Sequence, residues 1–401
     1  MKISKFKEKL SSLKATPPPK VRKSYYTFSK EYPAGNIPIK RRKNIRVKSG
    51  FLKYTLYACL FLFICGVSFF VFNLGLDISY KEPETTDVGE LPEAETESLL
   101  VSSSVKGLYM PSEFLGNTEK IEGIIKEIRK KNCNSVLIQF KTPEGKLNYT
   151  SMQEFALAGK CSVFDNDTVR RAIDLFKDAD ITVIAEVYCF EDSTIPATVT
   201  DAAVKYMDTD VNWLDGKNEE GGKPWLNPFV KRNHNYITGI LKELYSLGVR
   251  GFILEACQFP DESIASGATY PMESNFKSRN DALKSFIKKA ENSLGKDAFV
   301  LLGLSATDAA KGNQNIFYGN IADSAADGVA ADIGEREDQY IIDKKTDFVS
   351  MLSLYSDIAK NNNGKTFVPV VNYDEYSRNF FSSMKKAGYT AFILYDEKGE
   401  Y

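Results

Sequence analysis

Eight short apolar runs, rich in β-branched residues, recur over the last three quarters of the chain, at 105–110, 135–141, 181–188, 251–257, 298–304, 328–333, 367–371 and 390–395. Helical patterns separate most of them, at 120–131, 167–178, 235–247, 278–293, 348–360 and 377–387. In the first of these helices Ile121, Ile124, Ile125 and Ile128 share one face. Strands that are apolar almost throughout, alternating with helices, predict a parallel sheet covered on both faces. Eight such units close on themselves as a (β/α)8, or TIM, barrel. An open doubly wound sheet would favour a glycine-rich phosphate turn after its first strand. The chain instead reads Tyr109-Met110-Pro111-Ser112-Glu113 there, so the fold class expected is α/β with a closed barrel over 105–401.

The N-terminal quarter has a different character. Residues 54–76 carry no charge, and 23 residues are enough to cross the hydrocarbon core of a bilayer as one helix. Residues 1–53 hold sixteen Lys or Arg against Glu8 and Glu31, whereas 77–104 hold eight Asp or Glu against Lys81 alone. Positive charge beside a span stays in the cytoplasm. The expected topology is a single-pass cell-membrane protein with the N-terminus inside and the C-terminal domain extracellular. A cleaved signal peptide would have a shorter apolar core and a small-residue cleavage site, and none follows Leu76. The tail, with Pro17, Pro18 and Pro19, reads as disordered, and its cluster from Lys40 to Lys48 suits anionic lipid headgroups. Next to a span, that charge points to membrane rather than to nucleic acid. The acidic stretch 77–104, with Pro83 and Pro92, reads as an extended linker.

The net charge of −1 hides this division, because the tail contributes +14. Cys59 and Cys65 fall in the span, and Cys133, Cys161, Cys189 and Cys257 are widely spaced without a C-x-x-C pair. That spacing predicts no disulfide framework and no metal site. A single histidine, His234, argues against a zinc centre or a Ser-His-Asp triad. No cofactor is expected, and any chemistry must run on carboxylates, Lys, Tyr or Cys. His234 itself reads as an exposed or capping residue opening its helix.

A barrel of this kind places its site at the C-terminal ends of the strands. Two carboxylates there, Glu186 and Glu255, sit inside apolar runs, where an uncompensated charge is costly. Two carboxylates from neighbouring strands facing one cavity is the arrangement that glycoside hydrolysis needs, one protonated as acid and one ionised as nucleophile or base. The alternative is that each pairs with a cation, Lys141 or Arg250. Asp332, at the end of the sixth strand, is a further polar candidate. Tyr188, Tyr373 and Tyr395 at strand ends, and Trp225 in the long insertion with Trp213, could stack on sugar rings or simply close the barrel top.

The sequence around these positions resembles a known domain family. Lys106-Gly107-Leu108-Tyr109 is similar to K-G-V-Y in its first strand. Ser135 to Lys141 is similar to N-A-V-V-I-D-V-K, and Ile184 to Asp192 to I-A-R-I-V-V-F-K-D. Trp225-Leu226-Asn227-Pro228-Phe229 resembles W-V-N-P-Y, and Gly251 to Pro260 resembles E-I-Q-F-D-Y-V-R-F-P. The family is that of bacterial glycoside-hydrolase-like barrels, within the TIM-barrel glycosidase group, and its function is not known. The resemblance implies a sugar-facing site. Lys141 is kept. Glu255 stands where the family has Asp, Gln258 where it has Arg, Gln139 where it has Asp, Glu186 where it has Arg, and Tyr395 where it has Trp.

These residues support two readings. In the first, the chain is a membrane-anchored glycosidase acting on cell-envelope or extracellular polysaccharide, with Glu255 and Glu186 catalytic. Lys141, Tyr188, Trp225, Gln258, Asp332, Tyr373 and Tyr395 would then bind substrate. In the second, the barrel is inactive and binds a glycan or a partner protein at the envelope.

Overall fold

The computed structural model describes residues 103–401 except 262, 264–265, 272, 312–313, 320, 322–325, 333–356, 359–364 and 374–389. The basic tail, the uncharged run 54–76, most of the linker and the expected helix at 377–387 therefore lie outside the described residues, as does most of that at 348–360. Among the described residues no helix is long and apolar enough to cross a membrane.

Eight parallel strands close into a barrel. They are β1 (Lys106–Met110), β2 (Ser135–Lys141), β3 (Thr182–Tyr188), β4 (Gly251–Glu255), β5 (Phe299–Ser305), β6 (Gly328–Asp332), β7 (Thr366–Asn372) and β8 (Phe392–Tyr395). Each pairs with its neighbours in sequence, and β8 closes on β1 with Gly107 opposite Ile393. The expected runs match these strands to within two residues at each end. Four long helices are described: α1 (Thr118–Lys130), α2 (Asn166–Asp178), α3 (Lys231–Leu247) and α4 (Arg279–Glu291). Asn117, Asp165 and Ser278 cap α1, α2 and α4, each accepting a backbone N–H of the first turn.

Alternation along the strands separates two apolar layers. Leu137, Ile184, Ile253, Phe299, Leu301, Val368 and Ile393 fill the barrel interior. Val136, Ile138, Val183, Ala185, Val187 and Leu254 face the helices, where they meet Ile124, Ile173, Phe176, Ile240 and Phe286. The interior leaves no room for larger residues at its base. A Cβ on Gly251 would lie 2.5 Å from the Phe299 ring.

One irregularity in the sheet decides where Lys141 goes. The register of β2 against β3 slips between Gln139, opposite Glu186, and Lys141, opposite Val187. Strict alternation would point Lys141 into the barrel. The bulge turns it to the helix side instead. There Lys141 Nζ meets Asp192 Oδ2 at 2.8 Å, and both side chains are fully buried. Asp192 Oδ1 accepts from Thr194 N (3.0 Å) and Ile195 N (2.8 Å), which starts the short helix Thr194–Thr198. Gly145, at φ 89°, passes so close that a Cβ would lie 2.3 Å from Asp192 Oδ1.

His234 is neither exposed nor a cap. It lies one turn inside α3, buried among Phe190, Phe276 and Phe286, and its Nε2–H donates to Pro228 O at 2.7 Å. The periodicity of α3 is continuous through its first turn, and the aromatic cluster covers the side that a sequence reading leaves open.

These buried groups have two measurable effects. Asp192→Asn strands the Lys141 ammonium in an apolar layer and should lower the unfolding free energy by about 3–5 kcal/mol in urea titrations. Lys141→Met combined with Asp192→Leu should recover most of that loss. A loss under about 1 kcal/mol for the single variant would mean that Lys141 finds water.

Burial lowers the His234 pKa from 6.5 to about 4. As pH falls the unfolded chain binds this proton first, so stability should decline between pH 6.5 and 4 and level off below. The full effect is roughly 3 kcal/mol at 1.36 kcal/mol per pH unit. His234→Phe should flatten that part of the stability curve relative to wild type. Parallel curves for the two proteins from pH 7 to pH 4.5 would contradict it.

Candidate functional site

At the C-terminal ends of the strands lies a cleft of about 460 Å³. Its lining comes from five strands and their loops: Gln139 with Pro143 and Glu144, Tyr188 with Glu191, Glu255 with Ala256 and Gln258, Gly303 to Ser305 with Asp308, and Tyr395. The volume is that of a small-molecule site, and the polar groups converge from different strands, as barrel enzymes arrange them.

Glu255 is the last residue of β4. Its carboxyl lies across the Cα of Gly303 on β5, where an added Cβ would come within 2.2 Å of the carboxyl carbon. Gly303 thus sets how deep Glu255 can sit. The chain then turns through Ala256 at φ 47°, a left-handed conformation that costs a non-glycine residue roughly 1–3 kcal/mol. Backbone bonds from Cys189 N to Glu255 O (2.8 Å) and from Phe190 N to Ala256 O (3.2 Å) hold that turn.

Glu186 occupies a different place from the one expected. It lies inside the barrel just below the cleft, 1% exposed, and accepts from Gln139 Nε2 at 2.7 Å. Gln139 lines the cleft; Glu186 supports it from beneath. Lys141 is behind the wall with Asp192, for the reason the bulge supplies. The alternative in which Glu186 or Glu255 pairs with Lys141 or Arg250 is not what the described residues show: Lys141 pairs with Asp192 at 2.8 Å and Arg250 with Asp297 at 2.7 Å.

The other candidates divide likewise. Tyr188, Gln258 and Tyr395 are in the cleft wall, and the Tyr395 ring packs 4.3 Å from that of Tyr109. Both tryptophans are buried. Trp225 donates its indole N–H to Asp215 Oδ2 at 3.0 Å, and its backbone bridges Glu191, so it supports the wall without forming its surface. Tyr373 is not among the described lining residues; its hydroxyl accepts from Lys131 Nζ at 2.7 Å and its backbone N–H donates to Tyr395 O at 2.7 Å. Asp332 ends β6 level with Ser305, and its side chain lies outside the described residues.

Glu191, Asp308 and Glu144 join Glu255 as carboxylates of the lining. Each follows a strand end directly or by a few residues, and that position is the sequence signal for them. Asp308 belongs to the first turn of the helix Ala306–Lys311, where its backbone N–H binds Ser305 Oγ at 3.0 Å. Partial burial pushes the Glu144 carboxyl upward, but hydrogen bonding from Thr142 and the Lys223 ammonium at 3.2 Å hold it below its ordinary value. Among the described residues no group of three or more His, Cys, Asp or Glu could hold a metal ion. The arrangement presents carboxylates, amides and hydroxyls to one open volume, which suits a polyhydroxylated ligand and proton transfer by carboxyl groups.

Solved structures align with the chain. The glycoside hydrolase domain of PgaB (BpsB) from Bordetella bronchiseptica superposes with a TM-score of 0.54 at 12% identity, covering 74% of this chain and 94% of that one. A hypothetical protein from Ruminiclostridium thermocellum aligns at 19% identity and TM-score 0.42, over 49% of this chain and 96% of that one. A family 20 exo-β-N-acetylglucosaminidase from Vibrio harveyi aligns at 12% identity and TM-score 0.43, over 67% and 41%. At 12% identity the likeness to the PgaB domain concerns the fold alone. No curated protein matches the sequence. Residues 107–307, from β1 through the start of the helix after β5, match the family described as "Putative glycosyl hydrolase domain". That is half of the chain and includes every lining residue named here but Asp308 and Tyr395, so the protein belongs to this family of glycosyl-hydrolase-like barrels.

Proposed function

We propose that the chain is a membrane-anchored extracytoplasmic glycoside hydrolase that acts on cell-envelope or extracellular polysaccharide in the cleft at the C-terminal strand ends. The observation that carries this is the position of Glu255. Its carboxyl is set by Gly303, opens into a polar cleft, and lies between the Glu191 and Asp308 loops. Glu255 serves as one of the two carboxyl groups that glycosidic cleavage requires, and Glu191 or Asp308 supplies the second. Glu186 keeps a supporting part, orienting the Gln139 amide toward the sugar. Family membership supports the reaction class. The uncharged run 54–76 and its basic flank support the anchoring.

A second reading, binding without cleavage, draws on the substitutions at Gln139 and Gln258, where the family the chain resembles carries charge. The two readings separate on turnover. Under the first, the protein hydrolyses oligosaccharides or chromogenic glycosides, and Glu255→Gln lowers the rate by about 10²–10⁴-fold, the usual worth of a positioned acid or base. Stability should stay within about 1 kcal/mol of wild type, because active-site charges seldom favour folding. Gly303→Ala leaves the carboxyl in the protein but displaces it, and should also reduce turnover. Retained glycan affinity with no turnover in wild type would select the binding reading. A Glu255→Gln protein of full activity would exclude Glu255 from catalysis.

The topology has its own test. Protease added to intact cells should remove the barrel and spare an N-terminal tag. Loss of the tag from outside would overturn the orientation.

A further inference from the structure

Cys189 and Cys257 lie about 70 residues apart in the sequence and side by side in the fold. Cys189 follows Tyr188 at the end of β3, and Cys257 follows the Ala256 turn at the end of β4. The two chains remain paired beyond the strand ends, through Cys189 N to Glu255 O at 2.8 Å and Phe190 N to Ala256 O at 3.2 Å. Both thiols are buried in the layer between sheet and helices, at 0% and 4% exposure; the Cys189 thiol donates to Val187 O at 3.6 Å, and the neighbouring Cys257 adds to burial in raising the Cys189 pKa. The register that sets Tyr188 opposite Glu255 leaves Cys189 opposite Ala256, one residue from Cys257. Strands about 4.8 Å apart with a rise of about 3.3 Å per residue put the two Cα atoms roughly 6 Å apart, within the span of about 4.4–6.8 Å that a disulfide bridges. The other described thiols lie apart from this pair: Cys161 is buried beside Tyr236, and Cys133 contacts Lys131 O at 3.9 Å.

We propose that Cys189 and Cys257 close as a disulfide that staples β3 to β4 directly behind the cleft wall. The state with both thiols free is its reduced form. The oxidant is a small disulfide, such as oxidised glutathione, or the disulfide of an exchange protein. One cysteine thiolate attacks a sulfur of that disulfide and expels one of its halves as thiolate. The second cysteine then attacks the mixed disulfide at the first cysteine's sulfur and expels the other half. The pair loses two electrons and two protons, and the oxidant leaves as two thiols. Burial pushes the Cys189 thiol well above its ordinary value, so it is a poor nucleophile once the barrel is packed. Closure therefore belongs to folding, while both sulfurs still meet solvent, and the finished bond is shielded from reductants.

The bond has a consequence for the site. Tyr188 and Gln258, each next to one of the cysteines, line the cleft, and Glu255 lies between them. A covalent tie at this level holds the wall and the strained Ala256 turn together. The inference does not depend on the sugar-cleaving reading.

The test uses the full-length chain refolded in detergent in a glutathione redox buffer, then alkylated and digested without reduction. The expected result is a Cys189–Cys257 cross-linked peptide, 2 Da lighter than its reduced halves. Reduction should lower Tm by about 5–10 °C in wild type and leave Cys189→Ala and Cys257→Ala unchanged. Complete alkylation of both cysteines after refolding, or a linkage of either to another cysteine, would overturn the proposal.

Discussion

The ion pair between Lys141 and Asp192 fixes the geometry on which the cleft depends. Two charges held 2.8 Å apart with no exposed surface are retained only where the surrounding chain is ordered around them. Lys141 ends β2. Asp192 lies four residues beyond the end of β3 and, through its second oxygen, starts the helix at Thr194. The pair therefore joins two adjacent strand ends and sets where Glu191, one residue earlier, enters the cleft. Gly145 belongs to the same arrangement, because only a residue without a Cβ lets the β2 loop cross over Asp192.

A second close approach performs the same task on the other side. Gly303 has no side chain, so the Glu255 carboxyl can lie on β5 rather than stand into solvent. The left-handed Ala256 then carries the chain sharply away, which leaves Glu255 as the last inward residue of its strand. Strain of this kind persists when neighbouring bonds determine it, and here the β3 end supplies two of them. The carboxyl is thus positioned by backbone shape more than by a partner side chain. That explains how a Glu can stand where the family it resembles has an Asp: the extra methylene is absorbed by the space over the glycine.

The barrel is legible in the sequence because its signals are local. Near-continuous apolar strands and one-sided helices appear as periodicities, and all eight strands fall where those periodicities place them. Glu255, Tyr188 and Tyr395 are legible for a related reason, as last residues of strands whose ends open on the site, and Gln258 follows one of these ends by three positions. Lys141 is not. A bulge shifts the alternation by one step, and nothing in Ser135 to Lys141 announces it. Glu186 has the correct face but lies one layer too deep, and depth along a strand depends on the stagger of the closed barrel. Trp225 and His234 escape a sequence reading because residues from elsewhere in the chain cover them, Asp215 and Glu191 for Trp225 and Phe190, Phe276 and Phe286 for His234, a tertiary event with no periodic trace. The pairing of Cys189 with Cys257 is hidden in the same way, since spacing along the chain says nothing of neighbours across strands.

The interior also shows where stability gives way to function. Lower layers are Ile184, Ile253, Leu301, Val368 and Ile393, a packed apolar plug that favours folding alone. Above them the inward positions turn polar, with Glu186 just beneath the cleft and Gln139 and Glu255 in its lining. The Gln139–Glu186 bond shows how the change is tolerated: the deeper carboxylate is satisfied by an amide whose other face remains in the cleft. An apolar pair at these two positions would pack the barrel at least as well, since a buried polar pair adds little net stability. Its presence is therefore better explained by what the top layer must bind than by what the barrel needs to fold. Between a plug that tolerates no charge and a cleft lined with several, Gln139 and Glu186 form the boundary.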